Sequence, residues 1–119
     1  MTPREFYKHL AAQEQAQRRL PSARRYRSAL ITGLAQARRE QRYYKEEIEA
    51  LTMRFKRWEL EDCASLQEFA AMHGYDWQKI QVRLEAANNR VEKMDKRLQE
   101  INDEIAQLEV LACRSASSI

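Results

Sequence analysis

Breaker residues are nearly missing from this chain. Its 119 residues hold 2 Gly and 2 Pro. Turns draw on Gly, Pro, Asn and Asp because those residues supply special backbone angles or local side-chain bonds. A sheet-rich or α/β fold with a turn every ten residues is therefore excluded. The two cysteines, Cys63 and Cys113, are far apart and form no CxxC pair. Together with His9 and His73 they make no metal-ligand spacing, and reduced thiols of a cytoplasmic protein are expected. No apolar run approaches the length of a membrane span. The N-terminus, MTPREFYKHL, lacks the apolar stretch of a signal peptide.

What is present is helix-forming and charged. Charged residues make up 33% of the chain, set among Ala, Leu, Glu, Gln, Lys and Arg, a composition of long helices with a narrow apolar seam. Two seams can be read directly. Leu30, Leu34, Ala37, Gln41, Tyr44, Ile48, Leu51, Phe55 and Trp58 follow one another in strictly alternating steps of four and three. Trp77, Ile80, Leu84, Ala87, Val91, Met94, Leu98, Ile101, Ile105, Leu108 and Ala112 do the same. Sustained a/d spacing of this kind specifies a coiled coil. The link between the seams is short enough to fold back, which predicts an all-α fold: a long antiparallel coiled-coil hairpin forming one domain over 1–119. Closing it at Trp58 and Trp77 sets Leu51 against Leu84, Ile48 against Ala87, Tyr44 against Val91 and Gln41 against Met94. Gln41, a polar seam residue, is a candidate for fixing register.

Capping signals mark the element ends. Thr2-Pro3-Arg4-Glu5 reads as a capping box with Pro at the first helical position, opening a helix of about 3–19 with the weaker stripe Phe6, Leu10 and Leu20. Pro21 is expected to end it and start the long helix of about 21–60, so that the N-terminal helix folds back on the open end of the hairpin. Ser65-Leu66-Gln67-Glu68 is a second capping box and Gly74 a C-terminal stop. They bound a short helix of about 65–73 at the tip. Asp76 caps a last helix of about 76–112, with 114–119 as a tail.

Charge is divided between the halves. Residues 1–58 carry 14 Lys/Arg against 6 Asp/Glu, and residues 59–119 carry 7 against 12. Either the two arms attract each other across the hairpin flanks, or the basic arm meets a polyanion or an acidic partner. The contact candidates are Arg18, Arg19, Arg24, Arg25, Arg27, Arg38, Arg39 and Arg42 within an Arg-rich stripe at 18–45 that also carries Lys45, with Tyr43 beside it. Such a stripe can neutralise phosphates. The tip aromatics Trp58, Phe69, Tyr75 and Trp77 either close the hairpin end or anchor a partner.

The segment SLQEFAAMHGYDWQKIQVRL at 65–84 resembles the helix-turn-helix of bacterial DNA-binding regulators. Ala70 stands at the small-residue position, Gly74 at the turn with Tyr75 after it, and Ile80 and Leu84 at the inward positions. The resemblance implies that Trp77, Gln78, Lys79, Gln81 and Arg83 face a DNA groove. It covers about 20 of the 119 residues. Against it, Ile80 and Leu84 already belong to the seam, and Glu59, Glu61, Asp62 and Glu68 lie nearby. In outline the chain also resembles the small basic coiled-coil hairpins of bacterial secretion systems, such as the export-ATPase stalk proteins, without a shared motif.

Nothing in the sequence suits catalysis. It contains no nucleophile elbow, P-loop or dinucleotide fingerprint, and the carboxylate pairs Glu46/Glu47 and Asp103/Glu104 fall on helix faces expected to be solvated. The expectation is a non-enzyme without cofactor or metal: a protein–protein interaction module acting through helix faces and the hairpin tip. The rival is a DNA-binding accessory protein using the tip and the Arg stripe. A homo-oligomer fits either, through Ile31, Leu66, Val82 and Val110, which lie off the seam.

Overall fold

The computed structural model describes residues 2–57 and 65–113. Three helices account for nearly all of them: α1 Pro3–Arg57, α2 Leu66–Met72 and α3 Trp77–Cys113. No strand occurs among the described residues, so the chain is all-α as its composition predicts. Trp58, Glu59, Glu61, Asp62, Cys63, the expected extension of the long helix to 60 and the expected tail at 114–119 lie outside the described residues.

The helix ends are set by local chemistry. At the start of α1, the Thr2 amide donates to Glu5 Oε2 at 3.2 Å and the Glu5 amide donates to Thr2 Oγ1 at 3.3 Å, the reciprocal pair of a capping box. Ser65 Oγ accepts from the Glu68 amide at the start of α2. α2 ends in a Schellman turn: the Tyr75 amide donates to Ala70 O at 2.8 Å and the Gly74 amide to Ala71 O at 3.1 Å. Gly74 has φ 80°, which a residue without Cβ adopts freely. Asp76 Oδ1 then accepts from the Lys79 amide at 3.1 Å and caps α3.

Pro21 does not break the first helix. α1 is continuous through it, so the separate helices expected at 3–19 and from 21 onward are one element, and no N-terminal helix folds back. A mid-helix proline removes one amide bond, here the one to Gln17 O, at a cost of about 3 kcal/mol. Burial on either side of it supplies the offset: Ala16, Leu20 and Ala23 are all buried. With Phe6, Leu10 and Gln13 also half-buried, the seam continues towards the N-terminus. Its small members, Ala16 and Ala23, make it weak to the eye but allow close helix approach.

The chain divides into two compact units, Met1–Gly33 with Met94–Ile119, and Leu34–Lys93. In the first, Leu20, Ala23, Leu30, Ile101 and Ile105 form a buried cluster with Leu98, Leu108 and Ala112 packed against it. The helices run antiparallel there: Gln13 Nε2 donates to Ala112 O at 3.3 Å, while a Cβ on Gly33 would lie 3.2 Å from Met94 Cε. In the second unit Leu51, Ala70 and Ile80 share a cluster, flanked by Tyr44, Ile48, Tyr75 and Trp77. Phe69 is fully buried and stands edge-on to Phe55 with ring centroids 5.7 Å apart.

Register differs from the expected closure by about one heptad. Met94 lies against Gly33 rather than Gln41, and Gln41 Nε2 donates to Asn88 Oδ1 at 2.6 Å. Leu51 meets Ile80 and Ala70 where Leu84 was expected. A seven-residue repeat fixes which face of each helix turns inward but leaves the axial offset free, since a slide by one heptad again places apolar on apolar. α2 chooses the offset here, because Ala70 is buried in the cluster that joins α1 to α3.

Candidate functional site

The predicted Arg stripe is divided between the units and partly used within the chain. In the first unit Arg19 Nε lies 3.0 Å from Glu104 Oε1 and Arg24 Nη2 lies 3.4 Å from Glu109 Oε1. In the second, Arg90 Nη1 lies 2.8 Å from Glu40 Oε2. All three pairs join residues flanking the two seams, the e and g positions that set partner choice in coiled coils. They are half-exposed, so each contributes about 0–1 kcal/mol. Arg19 and Arg24, both among the predicted contact arginines, thus serve the attraction between arms. Arg27 occupies a seam position of α1 and is half-buried, a place its aliphatic stem can fill. Arg39 Nε donates to Ala35 O within its own helix. Arg18 and Arg25 in the first unit, and Arg38 and Arg42 in the second, are exposed.

The five predicted tip contacts are not gathered on one face. Successive helical residues turn about 100°, which sets Lys79 and Arg83 on one flank of the α3 seam and Gln78 and Gln81 on the other. Trp77 is half-buried against the Leu51 cluster. α2, the Gly74 turn and the start of α3 follow one another over 65–84, with Ala70 and Ile80 buried and Gly74 at φ 80°. The first turns of α3, however, face α1 through Ile80.

What the second unit does assemble is a groove. Tyr43, Tyr44 and Glu47 of α1 face Gly74, Tyr75 and Asp76 of the Schellman turn and Lys79, Ile80 and Arg83 of α3 around an open volume of about 290 Å³. Each wall follows from local sequence. Tyr44 is a seam residue, half-buried, and Tyr43 beside it stands 61% exposed with its ring edge-on to Tyr44 at 5.3 Å. Lys79 and Arg83, four residues apart, project from one side of α3, with Cβ atoms about 6 Å apart. Gly74 leaves its stretch of wall open, since a Cβ there would meet nothing within 4 Å.

Lys79 and Arg83 stand out in the sequence, though as contacts for a DNA groove; Tyr44 and Glu47 do not stand out there as contacts. The Tyr43-Tyr44 pair is the available signal, an aromatic lying outside the seam next to one within it. A second surface lies in the first unit, where Ala106, Gln107, Val110 and Leu111 form an apolar strip on α3. Of the residues expected off the seam, Ile31, Val82 and Val110 are more than half exposed, while Leu66 is half-buried. None of the described helices is long and apolar enough to cross a membrane, and no group of three His, Cys, Asp or Glu among the described residues could hold a metal ion. The chain matches no family model, no curated protein and no solved structure.

Proposed function

We propose that this chain is a non-catalytic protein–protein interaction module that engages its partner at the tip. The observation that carries this reading is the groove of the second unit. Tyr and Arg are the residue types that dominate interface energetics, and the groove sets three tyrosines beside Arg83 and Lys79. Its backbone is held before any partner arrives, by two caps and the Schellman turn. Ordering costs on binding are correspondingly small. The seams supply the support on which the groove is built.

A photo-crosslinking residue in place of Tyr43, expressed in the native host, tests the reading. A protein adduct should form from position 43, disappear with Arg83→Glu, and be absent when the same residue replaces Lys96, which is exposed on α3 of the other unit. Adducts equal at 43 and 96 contradict tip engagement. A nucleic-acid adduct at 43, lost when Arg18 and Arg25 are replaced, transfers the reading to DNA binding.

A further inference from the structure

We propose that the tip groove receives a segment of a partner protein in which a carboxylate side chain stands next to an apolar one. The inference rests on the protein-binding reading and adds the chemistry of what is bound. Ile80, buried, and Tyr44, half-buried, are among the lining residues, so apolar surface is set among the polar groups of the lining. Tyr43 and Tyr75 offer ring surface on opposite walls. An aliphatic or aromatic side chain laid between them removes apolar surface from water at about 25 cal/mol per Å².

Charge sets the rest of the specificity. Lys79 and Arg83 reach the groove from one flank of α3, and neither side chain takes part in an ion pair among the described residues. Their spacing lets one carboxylate lie between an ammonium and a guanidinium, a charge-assisted arrangement about twice as strong as a neutral hydrogen bond. The groove is not a general anion site, because Glu47 and Asp76 also line it. Asp76 is occupied in capping α3, where the positive end of the helix offsets its charge. Glu47 on the α1 side opposes a second negative group. Together they disfavour a run of phosphates and leave room for a single carboxylate on the Lys79/Arg83 side. A volume of about 290 Å³ lies just below the range for small-molecule pockets and fits one or two side chains of a peptide.

The test uses the full chain as bait for a displayed library of random decapeptides, with the K79E/R83E variant as counter-selection. Both positions are exposed, and an unchanged circular dichroism spectrum verifies that the variant folds. The enriched peptides should carry Asp or Glu within one or two positions of an apolar residue. A synthetic member should bind about ten-fold more weakly once its acid is changed to the amide, and about ten-fold more weakly to K79E/R83E, a factor that corresponds to about 1.4 kcal/mol. Tyr43→Ala should weaken it as well. Enrichment of peptides lacking an acid, equal binding to the double variant, or no enrichment at all overturns the proposal. So does a duplex oligonucleotide that competes the peptide off the groove at physiological salt. If crosslinking from position 43 still captures a protein while acid selectivity is absent, the carboxylate class falls and tip engagement stands. Acid-selective binding without any crosslink keeps the carboxylate class and removes tip engagement in the host.

Discussion

Gly33 lies inside α1 with ordinary helical backbone, whereas Gly74 holds φ at 80° in the turn after α2. Alanine at the two sites should therefore move stability in opposite directions. At position 33 it recovers roughly 0.5–1 kcal/mol, the cost of a mid-helix glycine. The new methyl would stand 3.2 Å from Met94 Cε, which is the far end of a flexible thioether and can retreat by a few tenths of an ångström. Gly33→Ala should raise the melting temperature by a few degrees. At position 74 no atom stands in the way, so the whole effect is backbone strain. A residue with a Cβ loses about 1–2 kcal/mol in the left-handed region, and Gly74→Ala should lower the melting temperature. Thermal melts of the two variants side by side decide both signs. A Gly33→Ala protein less stable than the parent would mean that Met94 cannot retreat. A stability-neutral Gly74→Ala would mean that the turn is not held as described.

Elements were legible in the sequence to the extent that their signals are local. Every cap read from spacing is present: Thr2 with Glu5, Ser65 with Glu68, Gly74, and Asp76 with Lys79. The inward faces of α1 and α3 follow the two predicted seams, since angular periodicity is a property of one helix alone. Axial offset is a property of two helices, and a heptad repeat cannot encode it without an irregular residue. Gln41, the polar seam residue, does bond across the helices, but its partner Asn88 lies outside the seam and could not be named from spacing. The groove was illegible for the same reason, because Tyr43 comes near Arg83 only in one register. Pro21 misled in another way: its cost was visible, but the burial that offsets it, spread over Ala16, Leu20 and Ala23, was not. Pro21→Ala should accordingly stabilise α1 by about 1–3 kcal/mol, up to the full propensity difference between the two residues. Chemical denaturation with an unchanged slope and a raised midpoint would register this gain. A lowered midpoint would show that the proline sits where its fixed φ helps the fold more than its missing amide harms it.

Across the whole molecule, seams of this length can close within one chain or between chains. In each unit the buried cluster draws on more than one helix of the same chain: Leu20 and Leu30 with Ile101 and Ile105 in one, Leu51 with Ala70 and Ile80 in the other. A core closed in this way unfolds as a unimolecular process, and its melting temperature should not depend on protein concentration. Were the seams instead shared between chains, a hundred-fold dilution would remove about 2.7 kcal/mol of apparent stability, roughly a ten-degree fall for a domain of this size. Melts followed by circular dichroism over that range separate the two cases. Light scattering should give the monomer mass, 14.1 kDa. The strip of Ala106, Val110 and Leu111 makes the two measurements independent of each other. A dimer held there would double the scattering mass while the seams stayed closed within each chain, and Val110→Lys would return it to monomer with its helix content intact. Dimers that survive Val110→Lys and melt at a concentration-dependent temperature would place the pairing in the seams themselves. That result would contradict the intramolecular closure on which the groove depends.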